Sequence, residues 1–150
     1  MDKTVLAYIE NDDSYLMLFR NKKENDINRG KWIGVGGHIE SNETPDEALI
    51  REIKEETGLN AVSYTLRGIL TFINKNYEEI IYLYTVHSFS GSLKKCDEGE
   101  LAYIKKDELE KLNMWEGDKY FLKLIKDNEP YFLLTLKYDG DELKEIVRNG

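Results

Sequence analysis

Three glutamates are closely spaced in one charged segment, Arg51-Glu52-Ile53-Lys54-Glu55-Glu56. If the segment is helical, at about 100° per residue, Glu52, Glu55 and Glu56 fall within roughly a third of the circumference. Carboxylates at this spacing repel one another, and a hard cation such as Mg²⁺ or Mn²⁺ relieves that repulsion through oxygen ligands. Arg51 precedes Glu55 by four residues and can pair with it. A solvated helix surface has the same pattern, so these six residues do not decide between the two interpretations.

The segment has complete signals for a helix over Thr44–Thr57. Thr44 is a candidate N-cap, Pro45 stands at the first helical position, and Glu47 completes a capping box. Gly58 is the residue expected just after the helix end. The sequence therefore predicts that the glutamates are held on a rigid element.

A glycine-rich stretch precedes this helix. Trp32 to Glu40 contains Gly34, Gly36 and Gly37 between apolar residues, and we expect a short strand that bends at Gly36-Gly37. A backbone carbonyl in such a bend can approach a ligand or metal, because no side chain obstructs it.

Strands dominate the remaining pattern, and two further helices are expected, at Asp107–Leu112 and Asp118–Lys126. The expected strands are Thr4–Glu10, Tyr15–Arg20, Val62–Ile73, Glu79–Phe89, Glu100–Ile104, Tyr131–Tyr138 and Glu142–Val147. Strands with a few packing helices predict an α/β or α+β class. At 150 residues, one domain over 1–150 is expected.

Composition limits the partners. The net charge of −8 argues against binding a nucleic acid polymer, which needs a basic surface. It does not exclude a small phosphorylated ligand, because carboxylates can bind anions through a divalent cation. No apolar run approaches the ~18 residues of a membrane span, and the N-terminus has no signal pattern. Cys96 stands alone. A cytoplasmic protein without membrane association, monomeric or homodimeric, is expected.

The segment from Gly37 to Leu59 resembles the Nudix box. Gly37, five residues, Glu43, seven residues and then Arg51-Glu52-Ile53-Lys54-Glu55-Glu56-Thr57-Gly58-Leu59 match it at every fixed position. The resemblance implies the Nudix fold, an α/β/α sandwich with a mixed sheet. It also implies hydrolysis of nucleoside diphosphates linked to a further group, with Mg²⁺ as cofactor and Mn²⁺ as substitute.

The same resemblance implies roles for single residues. Arg51 would orient the carboxylates, and Glu43 would support the loop before the helix. Glu52 is the first choice for the general base, and Glu100, outside the box, is the second. The implied metal ligands are the backbone carbonyl of Gly36 and the carboxylates of Glu52, Glu55, Glu56 and Glu100.

Further segments resemble the MutT-type branch, especially its 8-oxo-dGTP diphosphatases. They are Lys22-Lys23, Gly30-Lys31-Trp32, Gly34-Val35-Gly36-Gly37 and Met114-Trp115-Glu116-Gly117-Asp118. By this resemblance, Trp115 would stack on a base and Lys22 and Lys23 would meet phosphates. Asp118 would accept hydrogen bonds from N1–H and the amino group of guanine, or else would N-cap the helix that follows.

One position departs from that branch. Some relatives carry an asparagine directly after the tryptophan, where it contacts the base, but this chain has Ile33. An isoleucine can pack on a ring and cannot hydrogen-bond to its edge.

The leading hypothesis is an 8-oxo-dGTP diphosphatase that cleanses the nucleotide pool and so serves DNA repair. The enzymatic alternatives are a broader (d)NTP pyrophosphatase and an ADP-ribose or dinucleotide hydrolase. The non-enzymatic alternative is a nucleotide sensor, which would have no need of all three helix glutamates.

Overall fold

Nine strands form one hydrogen-bonded sheet in the computed structural model, which describes residues 1–150. The strands are β1 Asp2–Asn11, β2 Ser14–Arg20, β3 Trp32–Ile33, β4 Val35–His38, β5 Asn60–Asn74, β6 Tyr77–Ser90, β7 Gly99–Lys105, β8 Phe132–Asp139 and β9 Glu142–Arg148. The helices are α1 Pro45–Thr57 and α2 Glu116–Lys126, with a 3₁₀ helix at Lys106–Lys111. The pairs β1–β6 and β5–β8 are parallel and the others antiparallel, so the expected mixed sheet is confirmed.

The two α-helices cover opposite faces of this sheet. Alternate residues of β1 show this, since side chains alternate between the faces of a strand. Ala7 and Ile9 belong to the core cluster that includes Leu49 and Ile53 of α1. Tyr8, which lies between them, packs in the cluster that includes α2. The fold is therefore the α/β/α sandwich that the sequence predicted.

The signals read for α1 are all present. The Thr44 side chain accepts a hydrogen bond from the Glu47 backbone N–H at 3.2 Å, and the Glu47 carboxylate accepts one from the Thr44 N–H at 2.9 Å. Gly58 closes the helix at φ 82°. Because loss of such an N-cap costs about 1 kcal/mol, the start of this helix is fixed by its own residues.

The glycine-rich stretch differs from its prediction. It forms two strands, with the break at Gly34, and Gly36-Gly37 continues β4. A Cβ on Gly34 would lie 2.6 Å from the Ala7 carbonyl oxygen, so the backbone can approach β1 here only without a side chain. The predicted bend at Gly36-Gly37 was wrong. The chain changes its partner strand at Gly34, from β2 for β3 to β1 for β4, and the local sequence does not indicate this change.

A fork in the sheet follows from these pairings. One edge of β1 pairs with β2 over Ile9–Asn11 and with β4 over Thr4–Ala7. Beyond the point of separation, β2 pairs instead with β3. β1 and β2 therefore diverge, and the β3–β4 segment crosses from β2 to β1.

Neither helix has the length and apolar character needed to cross a membrane.

Candidate active site

A cavity of about 740 Å³ opens at this fork. Such a volume is typical of small-molecule sites. One end is acidic and includes Glu52 and Glu98, while the other is aromatic and includes Phe72, Trp115 and Asp118. The cavity can therefore hold a ligand whose two ends differ in chemistry.

Arg51 organises the carboxylates at the acidic end. Its Nε and Nη2 donate to the two oxygens of Glu43 at 2.6 and 2.8 Å, which lowers the pKa of Glu43 to about 2. Its Nη1 donates to Glu52 Oε1 at 2.7 Å and to Glu55 Oε2 at 3.1 Å. Glu43 also accepts from the Glu40 N–H, which ties the guanidinium to the loop before α1.

The three helix glutamates do not share one environment. Glu52 and Glu56 turn inward, whereas the Glu55 side chain is 58% exposed at the rim. Glu56 Oε2 accepts from the Gly36 N–H at 3.1 Å, and its carboxyl shares a hydrogen bond with Glu98. Burial and the neighbouring Glu98 raise the pKa of Glu56 well above its usual range. The hydrogen bond with Glu56 lowers the pKa of Glu98.

Gly37 leaves room for one of these carboxylates. A Cβ at this position would overlap the carboxylate of Glu52. The glycine therefore allows Glu52 to lie directly against β4. The predicted approach of a backbone carbonyl at Gly36-Gly37 to a ligand or metal stays a prediction.

Glu100 is not part of the acidic cluster. It stands opposite Phe19 in the β2–β7 pairing, its side chain is exposed, and it does not line the cavity. Glu98, two residues earlier, takes the position that the sequence assigned to Glu100. Glu98 immediately precedes β7, whereas Glu100 is the second residue of the strand and pairs with Phe19 of β2.

Lys22 and Lys23 lie beside the cavity and do not line it. The Lys22 ammonium donates to the Cys96 carbonyl at 2.7 Å. The Lys23 ammonium pairs with Glu98 Oε1 at 3.3 Å, and its side chain is 58% exposed. In this structure both lysines brace the segment that carries Glu98.

Arg20, at the end of β2, is a cavity residue that the sequence reasoning missed. Its Nε pairs with Asp26 at 2.6 Å and its Nη1 with Glu98 at 3.1 Å. It therefore links the loop after β2 to the acidic cluster. Nothing in the local sequence marks Arg20, because both of its partners depend on tertiary structure.

Trp115 is clamped at the aromatic end. Its ring meets Phe72 edge-to-face at 5.3 Å and Tyr138 at 5.0 Å. Its Nε1 donates to Asn28 at 2.8 Å, and the Lys31 ammonium lies 4.4 Å from the ring centre. One ring face is thus covered by a cation, and the ring reaches the cavity in a fixed orientation.

Asp118 lies beside Trp115 and does not cap α2. The helix begins two residues before the predicted start, Trp115 is its N-cap, and no side chain caps it. The helix-capping interpretation of Asp118 was therefore wrong. Asp118 is only 9% exposed, lines the cavity and makes no side-chain hydrogen bond or ion pair within the protein. Burial, with a contribution from Glu79, raises its pKa to about 8. Ile33 lines the same cavity.

Comparison with known proteins agrees with this architecture. The model of the NUDIX domain matches residues 2–125. The chain belongs to the Nudix family. A MutT protein from Bacillus halodurans superposes with a TM-score of 0.87 at 28% identity, over 99% of this chain and 98% of that one. The uncharacterized Nudix hydrolase YvcI of Bacillus subtilis is 28% identical over 92% of this chain and 87% of its own length. An oxidized purine nucleoside triphosphate hydrolase of Danio rerio is 25% identical over 81% of this chain and 78% of its own length.

The chain is thus a Nudix hydrolase, a member of a family that acts on nucleoside diphosphate-linked substrates and generally uses divalent metal ions. Its acidic cluster offers the hard oxygen donors that such ions prefer. The raised pKa of Glu56 reflects an excess of buried negative charge, which a divalent cation would relieve. As the side chains stand, no three His, Cys, Asp or Glu groups converge into a coordination shell. Arg51, Arg20 and the Gly36 N–H each hydrogen-bond to one or more of these carboxylates.

Proposed function

We propose that this Nudix hydrolase is a Mg²⁺-dependent nucleoside triphosphate pyrophosphohydrolase that prefers 8-oxo-dGTP and releases the monophosphate and pyrophosphate. Asp118 carries the proposal, because it is a buried carboxyl group without a protein partner at the end of a nucleotide-sized cavity. A burial of this kind is unfavourable unless a ligand supplies hydrogen bonds. Guanine offers two adjacent donors, N1–H and the amino group.

The acidic end would perform the hydrolysis. Glu56, Glu98 and the Gly36 carbonyl would hold the cation, with Glu52 beside them and Glu55 at the rim. A bound Mg²⁺ supplies neutralisation of phosphate charge. Glu52 is our choice for the general base: its Oε1 is held by Arg51, so its Oε2 remains free to take a proton from the attacking water. Burial raises the pKa of Glu52, which makes its carboxylate a stronger base.

The preference for an oxidised base rests on a smaller difference. Oxidation gives guanine an N7–H donor and an O8 acceptor. Ile33 lines the cavity and cannot bond to O8, so an acceptor for N7–H has to provide the discrimination. One such buried hydrogen bond is worth roughly 1–3 kcal/mol, or about 5- to 150-fold. The similarity to the Danio rerio oxidized purine nucleoside triphosphate hydrolase supports this choice.

Pyrophosphate release from a panel of substrates with Mg²⁺ tests the proposal. The panel contains 8-oxo-dGTP, dGTP, dATP, ADP-ribose and a dinucleoside polyphosphate. We expect the highest kcat/KM for 8-oxo-dGTP, and then dGTP. Equal turnover of 8-oxo-dGTP and dGTP would remove the oxidised-base role. Faster cleavage of ADP-ribose than of any triphosphate would contradict the pyrophosphohydrolase assignment.

A further inference from the structure

A second carboxylate, Glu79 of β6, lies at the aromatic end of the cavity. Its Oε2 accepts from the Thr4 hydroxyl at 2.6 Å, and its Oε1 accepts from the Tyr77 hydroxyl at 2.8 Å. The Tyr77 hydroxyl also lies 3.1 Å from Asp2. Two hydroxyl donors therefore hold Glu79 in one orientation without neutralising its charge. Each carboxylate oxygen keeps a further lone pair for a ligand.

Neither carboxyl group at this end has a cationic partner. Glu79 forms no ion pair. The ionised form of Asp118 is destabilised by burial and by the nearby Glu79. At the acidic end, by contrast, Arg51 and Arg20 hold the carboxylates. Asp118 is more than nine-tenths buried, without a protein partner and directed into the cavity. With Asp118 ionised, the aromatic end presents acceptors only, which a ligand edge rich in N–H donors would satisfy.

We propose that Glu79 is a second base-recognition residue, which accepts a hydrogen bond from the exocyclic amino group of a guanine-type base. Asp118 takes N1–H and the nearer amino hydrogen, and Glu79 takes the remaining amino hydrogen. This inference rests on the proposal that the site takes guanine nucleotides. Adenine has an acceptor at N1, which would face the lone pairs of Asp118. The pair of carboxyl groups therefore explains selection for guanine over adenine.

Binding of dGMP and dIMP in EDTA, measured by calorimetry, isolates this contact, because the two bases differ only in the amino group. Glu79→Met keeps the length of the side chain and removes both acceptors, while Glu79→Gln keeps its shape and removes the charge. The exposed neighbour Glu78 provides matched controls, Glu78→Met and Glu78→Gln. We expect Glu79→Met to reduce the ratio of dGMP to dIMP affinity at least ~5-fold. The affinity for dIMP should stay the same or rise, since Asp118 loses a repulsive neighbour.

Glu79→Gln should reduce the same ratio by less, and the Glu78 variants should leave it unchanged. An unchanged ratio in a folded Glu79→Met protein, or an equal loss for both nucleotides, would overturn the assignment. With 8-oxo-dGMP as a third ligand, a loss of affinity confined to that nucleotide would also overturn the assignment, since Glu79 would then contact N7–H. Because no turnover is needed, the test is independent of catalysis. If the wild type binds dGMP selectively through Glu79 but releases no pyrophosphate from dGTP, only the proposed reaction fails.

Discussion

Replacement of Asp118 by asparagine should make the protein more stable and less active. The carboxyl group is buried without a partner, and its pKa is raised from 3.8 to about 8. Between these two values the unfolded chain releases the proton while the folded protein retains it. Stability must therefore fall as the pH rises through this window. Asparagine fills nearly the same volume, has no proton to lose and removes this dependence.

The size of the effect follows from linkage. The slope for one such group is at most about 1.4 kcal/mol per pH unit, so up to about 3 kcal/mol separates pH 5 from pH 7. For a domain of this size, that is roughly 5–10 °C in Tm. We expect Asp118→Asn to have a higher Tm than the wild type. The difference in Tm should increase by up to roughly 5–10 °C between pH 5 and pH 7. The amide should also lower kcat/KM for dGTP at least ~10-fold, because the ionised Asp118 that would bind guanine offers two acceptors and the amide keeps only one.

Differential scanning fluorimetry in EDTA at pH 5, 6 and 7 checks the first part, and kinetics with Mg²⁺ on the same protein preparations check the second. Asp127→Asn, an exposed aspartate at the other end of α2, is the matched control. A Tm difference that does not change with pH would refute the assigned burial cost. A stabilised Asp118→Asn that turns over dGTP at the wild-type rate would refute the role of Asp118 in base recognition.

Further outcomes are expected for the metal, for single residues and for the bond that is cleaved. EDTA should abolish turnover, and Mg²⁺ or Mn²⁺ should restore it. Glu56→Gln should lower the rate at least ~100-fold. Its Tm in EDTA should not fall, because the amide can keep the hydrogen bonds with the Gly36 N–H and with Glu98. Glu98→Gln should lower kcat/KM at least ~10-fold and Glu100→Gln less than ~3-fold; the reverse order would contradict the placement of Glu98. Gly37→Ala should displace the Glu52 carboxylate, so kcat should fall at least ~10-fold while the far-UV circular dichroism spectrum stays unchanged. In ¹⁸O-water the label should enter pyrophosphate, as attack at the β-phosphorus requires; label in the monophosphate would place attack at the α-phosphorus.

The parts of the fold that local sequence encodes were predictable. The ends of α1 are set by Thr44, Glu47 and Gly58, all within reach of their own helix. The order of strands and helices also followed from the alternation of apolar residues. The break at Gly34 was placed wrongly, because a switch between partner strands depends on β1 and β2, which are distant in the sequence.

The candidate site divides in the same way. Glu52, Glu55 and Glu56 are close in sequence, so their grouping was visible, although their different exposures depend on β4. Glu98 and Glu79 carry no local signal. Their positions come from the register of β7 against β2 and of β6 against β1, which only the folded sheet sets.

The fork in the sheet has a consequence for divergence and for protein engineering. The groups proposed to perform hydrolysis lie mainly between residues 36 and 56, on β4 and α1. The end of the cavity proposed to bind the base is built from the β5–β6 hairpin and the start of α2. A duplicated gene could therefore acquire a new base preference through a few substitutions and still cleave phosphoanhydrides. A mutant library confined to the base end should yield active variants with altered nucleotide choice more often than one spread over the whole cavity. The positions to randomise are Ile33, Phe72, Glu79, Ile81 and Asp118.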